Sequence, residues 1–277
     1  QNFIPAKVEE VYTQILSDIE EARDLLQIEE QPANVRYRFS KKSALALEAR
    51  VRLYHAEWDN ALALAEELIP MCQLENLNDA SAISPYEVSS KEAILSLERV
   101  VSSAVATETY VLPNLKNQYN MMGDLRVSRY FLNTDDALVP NKCNSDNMKV
   151  TFRSAEIYLI AAEAAAHVNG KLDIAKTRLK ELMKNRLAES YYSQKASEID
   201  GMSQEALITE IADERARELA LEGHRWYDLR RTTRPEIVKT YKNQEGITVT
   251  KTLMQDDSRY TISFPSEATT NNPNLKN

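Results

Sequence analysis

The stretch that decides the fold runs from Ile211 to Arg231 and reads IADERARELALEGHRWYDLRR. Its spacing predicts a helix that begins after a capping Ser203, runs to about Glu222 and stops at Gly223. The inward stripe of this helix comprises Ile208, Ile211, Ala212, Arg215, Leu219 and Glu222. Two of these positions carry a full charge, which is costly on a buried face unless the charge is paired and hydrogen-bonded.

We expect these charges to form a buried ionic clasp that ties two helices together. The clasp would comprise Arg215, Glu222, Arg225 and Asp228, with Arg217, Arg230 and Arg231 as further nearby charges. Asp213 and Arg217 are also spaced for an i, i+4 pair. The role predicted for the clasp is structural.

A catalytic site is the competing interpretation of the same stretch. Two carboxylates can serve a glycosidase, and Glu214, Glu222, His224 and Asp228 supply the residue types. The surrounding arginines, however, would lower the pKa values of these carboxyl groups rather than raise one of them for a general acid. We therefore expect no enzymatic activity.

The composition favours a helical globular protein. The 277 residues include only 5 Gly and are 43% hydrophobic and 27% charged. The net charge of −8 argues against a nucleic-acid surface, and no run approaches the length of a membrane-spanning segment. Cys72 and Cys143 are too few for a disulfide framework, and His55, His167 and His224 lack ligand spacing, so we expect no metal or other cofactor.

The periodicity divides the chain into four parts of one expected domain, 1–277. A helical scaffold occupies 6–70 and 151–233, a loop-rich insertion occupies 71–150, and an extension follows at 234–277. In the extension, alternation over 247–253 and 260–264 predicts a small β-hairpin with its loop at Gln255–Ser258.

Two helical hairpins match each other. The pair at 43–69, with Trp58-Asp59-Asn60-Ala61 at its turn, is answered by the pair at 154–183, with Leu172-Asp173-Ile174-Ala175. Small alanines let paired helices approach closely, which is typical of tetratricopeptide-like units that stack on one another. Unrelated antiparallel pairs that obey the same packing rules remain an alternative.

The stretch from Ile211 to Arg231 closely resembles the signature near the C-terminus of SusD/RagB proteins. Other landmarks of that family appear in order: Arg38–Ala44, Asp124-Leu125-Arg126, Phe152–Ala164 and Asn272–Leu275. The resemblance implies a mostly α fold, with a tetratricopeptide-like helix-pair scaffold, an irregular loop-rich lobe and the small C-terminal β-hairpin.

The resemblance also implies a function without catalysis. Such proteins lie on the extracellular face of the outer membrane as lipoproteins and pass glycans, or peptides in the RagB branch, to a SusC-type TonB-dependent transporter. Members normally carry a lipidated cysteine and well over a hundred residues before the helix seen here at 6–27. We therefore expect membrane attachment only through an N-terminal lipid anchor outside this chain. An intracellular helical-repeat adaptor for protein partners is the alternative class.

Sugar recognition needs flat aromatic faces beside planar polar side chains. The candidate ligand contacts are Tyr110, Asn117, Tyr119, Asn120, Tyr191 and Tyr192, all in stretches that read as loops. Core packing is the alternative for each tyrosine, and the same alternative is favoured for Trp58 and Trp226. Asp135-Asp136 and Asp256-Asp257 could bind calcium but are more typical of solvated loops.

Overall fold

The computed structural model describes residues 4–97, 99, 111–133, 138–142 and 148–275, and it is mostly helical. The helices are α1 Val8–Leu25, α2 Lys41–Tyr54, α3 Trp58–Leu68, α4 Pro113–Lys116, α5 Arg126–Tyr130, α6 Ser154–His167, α7 Leu172–Lys184, α8 Glu189–Asp200, α9 Gln204–Glu218, α10 Arg225–Arg231 and α11 Ser266–Asn271. The strands form three antiparallel pairs: β1 Ala93–Leu95 with β4 Phe152–Arg153, β2 Phe131–Asn133 with β3 Leu138–Pro140, and β5 Ile237–Lys242 with β6 Thr248–Leu253. The expected fold class, mostly α with a small C-terminal β-hairpin, is confirmed.

The structure contains two compact units, and the single domain expected over 1–277 stays a prediction. The larger unit comprises residues 14–224, and the smaller one comprises residues up to Thr13 together with those from Arg225 onward. The division between the two units therefore falls inside the predicted clasp stretch. Among the described residues, no helix is both long enough and apolar enough to cross a membrane.

The core of the larger unit is built from two helix pairs. Helix α2 packs on α3, α3 packs on α6, and α6 packs on α7. Fully buried alanines line these contacts: Ala46, Ala49, Ala61, Ala65, Ala161, Ala162, Ala164, Ala165 and Ala175. Both predicted hairpins are present, and small side chains let their helices pack closely. Their kinship with tetratricopeptide repeats stays an interpretation.

Local capping explains where the scaffold helices begin. Ser40 and Ser43 form a capping box at the start of α2, and the Ser203 hydroxyl accepts a hydrogen bond from the Ala206 N–H at the start of α9. Helix α9 ends at Glu218, four residues earlier than predicted, since Leu221 and Gly223 adopt positive φ angles of 68° and 81°. The segment after α9 is therefore a turn, which positions Glu222 outside the helix.

The amphipathic face of α1 is mostly exposed. Within this helix only Ile19 is buried, while Val8, Val11 and Ile15 are 67%, 45% and 37% exposed. Periodic spacing shows which face of a helix could be buried, but it does not supply the surface that covers it.

The smaller unit contains the predicted C-terminal hairpin, displaced by one strand. Its turn lies at 243–247, where the Asn243 N–H donates to the Ile247 carbonyl and Gly246 has a φ of 77°. The predicted loop at Gln255–Ser258 instead follows the second strand. A glycine at positive φ makes the earlier turn the better one. Within the same unit, Trp226 stacks on the buried ring of Tyr260 with centroids 5.1 Å apart.

Candidate functional site

The most unusual chemistry of the larger unit is a buried ionic network centred on Glu218. This carboxylate accepts hydrogen bonds from Arg126 at 3.1 Å, from Arg186 at 3.0 Å and from the Tyr130 hydroxyl at 3.0 Å, and it pairs with Arg153. Each of these five side chains has an exposed fraction of about 1% or less. Burial alone would raise the pKa of Glu218. The three guanidinium groups outweigh this effect and hold the pKa of Glu218 well below its usual range.

Glu222 extends the network toward Lys142. The carboxylate lies 2.6 Å from Lys142 Nζ and 2.9 Å from Arg153 Nη2. Burial opposes ionisation of Glu222, but its cationic partners prevail and lower its pKa to about 2. Burial lowers the pKa of Lys142 to about 8 despite the attraction of Glu222. The ammonium group also lies 3.9 Å from the centroid of the Tyr130 ring.

Glu214 joins α9 to the irregular segment before α5. It lies 2.7 Å from Arg126 Nη1 and 2.8 Å from Arg217 Nε, and Arg126 is also held by Asp124 at 2.7 Å. Burial would raise the pKa of Glu214, but Arg126 and Arg217 lower it overall. The carboxylates of α9 therefore serve as anchors for arginines from distant parts of the chain.

The structure corrects the partners expected for the clasp. Arg215 and Glu222 have buried side chains, but Arg215 lies 3.5 Å from Glu163 on α6, and Glu222 binds the residues named above. Arg217 pairs with Glu214, one turn before it on α9, and with Glu210, two turns before it, rather than with Asp213. For Arg215 and Glu222 the sequence suggested partners that are close in the chain, whereas in the structure their partners come from distant segments.

The remaining clasp residues belong to the smaller unit. There Asp228 is buried and lies 2.8 Å from Arg231, and Arg225 begins helix α10 with an exposed side chain. The stretch Ile211–Arg231 therefore contributes residues to both compact units.

The geometry gives no support to the catalytic interpretation of this stretch. Glu214 has no exposed surface, and its arginine partners keep it ionised. His224 Nδ1 lies 4.0 Å from Glu156, and burial lowers the pKa of this imidazole. A general acid needs a raised pKa and access to substrate, and Glu214 has neither.

Tyr119 is a core residue, which corrects its expected role as a ligand contact. Its ring is 4% exposed and packs edge-on against Phe131 with centroids 5.4 Å apart. Its hydroxyl donates to the Arg217 carbonyl at 2.7 Å. A ring held on both its apolar and polar sides has no face left for a sugar.

The neighbouring candidates have local roles or lie outside the described residues. Asn120 is exposed, and its side-chain oxygen accepts hydrogen bonds from the backbone N–H groups of Met122 and Gly123, which shapes a turn. Asn117 is exposed at the end of α4, so its ligand role stays a prediction. Tyr110 lies outside the described residues, as do Cys143 and Asp135-Asp136.

Tyr191 and Tyr192 lie in the first turn of α8, not in the loop that the sequence suggested. The Tyr191 ring packs so closely on Gly123 that a Cβ there would lie 2.5 Å from Tyr191 Cγ. Backbone hydrogen bonds fix the same junction, since the Ala188 N–H donates to the Gly123 carbonyl at 2.8 Å. Tyr191 therefore joins the irregular segment to the scaffold.

We expect Gly123→Ala to lower the free energy of unfolding by roughly 1–3 kcal/mol, because the near end of the Tyr191 side chain must move to admit a methyl group. Gly201→Ala is the matched control, because the nearest atom to its added Cβ lies at an ordinary 3.6 Å. Urea unfolding followed by circular dichroism measures both. Equal losses in the two variants would contradict the close contact.

Tyr192, in contrast, lines a half-open cleft of about 330 Å³. Three segments build it: the loop around Leu77, the C-terminal end of α7 and the first turn of α8. The lining residues are Asn76, Asn78, Lys184, Asn185, Glu189, Tyr192 and Ser193. The loop is fixed to α7 by the Leu77 N–H, which donates to the Asn185 carbonyl at 2.9 Å, and to the α7–α8 junction by Asn78, which donates to the Leu187 carbonyl at 3.0 Å.

The cleft combines an aromatic surface with unused polar groups. Tyr192 is half-buried, and one side of it packs against the scaffold core. Among the described residues, neither the Tyr192 hydroxyl nor the Lys184 ammonium group has a hydrogen-bond partner. Asn76, Asn78 and Asn185 add amides at the rim. Of this set, the sequence pointed only to Tyr192, because the others are ordinary loop and helix-end residues until folding brings them together.

No metal site is apparent in the part of the chain that the structure describes, where no group of three His, Cys, Asp or Glu side chains is arranged to hold an ion. Asp257, one of the calcium candidates, accepts hydrogen bonds from the backbone N–H and the guanidinium group of Arg259. These bonds lower the pKa of the Asp257 carboxyl group.

Comparison with known proteins identifies the class of this fold. The sequence profile of the SusD family matches residues 107–276, which is more than half of the chain. The chain belongs to the SusD family. A comparison with curated proteins gives no match.

Solved structures show the same fold over the whole chain. A SusD superfamily protein from Bacteroides fragilis is 23% identical, with a TM-score of 0.76 over 100% of this chain and 65% of its own. A SusD-like carbohydrate-binding protein from Bacteroides vulgatus is 21% identical, with a TM-score of 0.67 over 98% and 66%. A laminarin-binding SusD-like protein is 20% identical, with a TM-score of 0.54 over 82% and 62%. The chain thus spans about two-thirds of the length of these structures.

Proposed function

We propose that this chain is part of a SusD-type nutrient-capture protein that binds glycan without cleaving it, and that the cleft at Tyr192 holds the sugar. The observation that carries the proposal is the pairing in this cleft of a half-buried aromatic ring with amide, ammonium and carboxylate groups. A pyranose ring has an apolar face and a rim of hydroxyl groups, so it requires both surfaces.

The volume of the cleft fits a short segment of glycan. At about 330 Å³ it lies at the lower end of the range for small-molecule sites, and its half-open shape leaves room for a chain to continue into solvent. Family membership supports the same ligand class, because relatives of this fold include a carbohydrate-binding and a laminarin-binding protein.

We further propose where the whole protein acts and which protein it serves. A lipid anchor holds it at the extracellular face of the outer membrane, and a SusC-type TonB-dependent transporter receives the captured glycan. Capture of peptide in place of glycan is an outcome that the binding experiment distinguishes.

We expect Tyr192→Ala to weaken glycan binding about tenfold, because one aromatic stacking contact contributes about 1 kcal/mol or somewhat more. Affinity electrophoresis against a polysaccharide panel that includes laminarin, followed by calorimetry on the strongest ligand, measures the loss. Tyr192→Phe should keep most of the affinity because it retains the ring.

Tyr37→Ala is the control, because Tyr37 is 50% exposed in the same unit but is absent from the cleft. Equal affinities for the wild-type chain and Tyr192→Ala would show that the cleft does not bind the glycan. Binding of peptides but of no glycan in the panel would reject the glycan proposal itself, and release of reducing ends would reject the absence of catalysis.

A further inference from the structure

The β5–β6 hairpin of the smaller unit has surfaces that nothing covers in the described part of the chain. Six residue pairs join its strands, from Ile237↔Leu253 to Lys242↔Thr248, and within the described ranges no third strand pairs with it. None of its twelve strand residues is buried, and Val238 and Tyr241 are 53% and 49% exposed. An isolated two-stranded hairpin is at best marginally stable in water, so a further strand would stabilise it.

The charges on this hairpin are of one sign. Lys239 lies directly opposite Lys251, and Lys242 adds a third charge on the other face. The two strands contain no acidic residue, although the chain as a whole carries a net charge of −8. Like charges directly opposite one another destabilise a hairpin, so this pair opposes folding unless an anion lies between its members.

The outer edges of the two strands differ. The β6 edge is partly occupied, since Arg259 donates to the Thr252 carbonyl at 3.2 Å. No comparable hydrogen bond reaches the outer edge of β5 from the described residues. An edge strand of this kind presents a row of unpaired N–H and C=O groups to an extended chain.

The lysines also restrict what can pair with that edge. A second copy of the hairpin would bring further lysines to this edge, which is unfavourable, whereas carboxylates at alternate positions would lie beside Lys239, with Lys251 one strand further away on the same face. Around the lysine pair, Tyr241↔Val249 and Ile237↔Leu253 provide apolar contacts on the same face. Backbone pairing, apolar contact and charge therefore favour one kind of occupant.

We propose that the outer edge of β5 binds an extended acidic segment of a protein partner as an added strand, with its carboxylates beside Lys239 and attracted also by Lys251 on the next strand. This mode of recognition combines backbone hydrogen bonds for affinity with alternate side chains for selectivity. The proposal does not depend on glycan binding, because the hairpin and the cleft lie in different compact units.

The test uses the whole chain and a fluorescein-labelled peptide of sequence TEVEVEVT, whose carboxylates lie at alternate positions, with TQVQVQVT as the uncharged comparison. We expect fluorescence anisotropy to show binding at least tenfold tighter for the Glu peptide, weakening as salt increases. Lys251→Glu should reduce the affinity for the Glu peptide about tenfold or more, whereas Lys171→Glu, at an exposed lysine in the other unit, should leave it unchanged.

A second readout separates lost binding from lost structure. Lys251→Glu replaces the repulsive cross-strand pair with an attractive one, so amide exchange in the hairpin should be slower in this variant although it binds the peptide less. Equal affinity for the Glu and Gln peptides, or no binding of either, would overturn the proposal. So would heparin binding that is tighter than the Glu peptide and is lost in Lys251→Glu, which would assign the surface to an anionic polysaccharide.

Discussion

Replacing Glu218 with glutamine is expected to lower the free energy of unfolding by roughly 3–5 kcal/mol. Glutamine keeps the shape of the side chain but removes the charge that Arg126, Arg153 and Arg186 share. These guanidinium groups have at most 1% exposure, so no water can replace the lost carboxylate without a change in the fold. Since domains are stable by only about 5–15 kcal/mol, this loss would be a large fraction of the total.

Urea unfolding followed by circular dichroism measures the effect, and two further variants calibrate it. Glu198→Gln removes an exposed carboxylate of α8 that pairs with Lys195, and it should change the free energy of unfolding by less than about 1 kcal/mol. Tyr130→Phe removes one hydroxyl donor to the ionised Glu218 and should cost about 1.5–3 kcal/mol, which keeps the network testable if Glu218→Gln does not fold. A Glu218→Gln variant as stable as Glu198→Gln would disprove a central role for this carboxylate.

Acid is expected to unfold the larger unit through the same carboxylates. The folded-state pKa of Glu222 is about 2, and those of Glu214 and Glu218 are also lowered, in each case because cationic partners outweigh burial. A carboxyl group with a lowered folded-state pKa stabilises the fold above its unfolded pKa of about 4.3, and this contribution is lost as the pH falls through the folded value. Glu92 acts in the opposite direction, because burial raises its pKa despite Arg186 and Arg153.

The free energy of unfolding should therefore fall steeply between about pH 5 and pH 2, with Glu222 alone contributing roughly 3 kcal/mol. Urea unfolding at a series of pH values measures this slope. Glu222→Gln should make the free energy of unfolding depend less on pH, because one of the contributing carboxyl groups is gone. The variant should also be less stable than the wild-type chain at neutral pH. A free energy of unfolding that stays constant from pH 6 to about pH 3 would contradict the account.

The scaffold could be predicted because its signals are local. Ser40 and Ser203 cap the helices that the sequence placed after them, and alanine spacing marked the two helix pairs. A capping hydroxyl or an alanine stripe acts within a few residues, so it is visible in the sequence. The predicted hairpin is displaced by one strand. The alternation after Gly246 predicts the strand Thr248–Leu253, but the predicted hairpin does not include its partner, Ile237–Lys242.

The sequence predicts that charged side chains of this stretch are buried in ion pairs, but it does not predict which side chains form the network or which partners they have. The inward stripe expected for α9 includes Ala212, which the structure exposes, and leaves out Glu214 and Glu218, which the structure buries. Their partners, such as Arg126 and Arg186, are 88 and 32 residues away from them in sequence. Charged side chains count as solvated in a periodicity argument, so only the tertiary fold reveals that opposite charges meet in the interior.

The candidate site shows the same limit more strongly. Tyr191 and Tyr192 are adjacent in sequence, yet one packs on Gly123 and the other lines the cleft. Which of two neighbouring rings faces solvent depends on the helix that contains them and on the segments packed against it. Asn76 and Asn185 join the cleft only because folding brings a loop to the end of α7.

The most direct test of the central claim is an NMR titration of the isotopically labelled chain with an oligosaccharide of the strongest glycan from the binding panel. Binding in the cleft predicts the largest amide shift changes at Asn76, Asn185 and Ser193, with saturation at the calorimetric affinity in the wild-type chain and at about tenfold higher ligand concentration in Tyr192→Ala. Saturable shifts confined to other parts of the chain, unchanged in Tyr192→Ala, would contradict it.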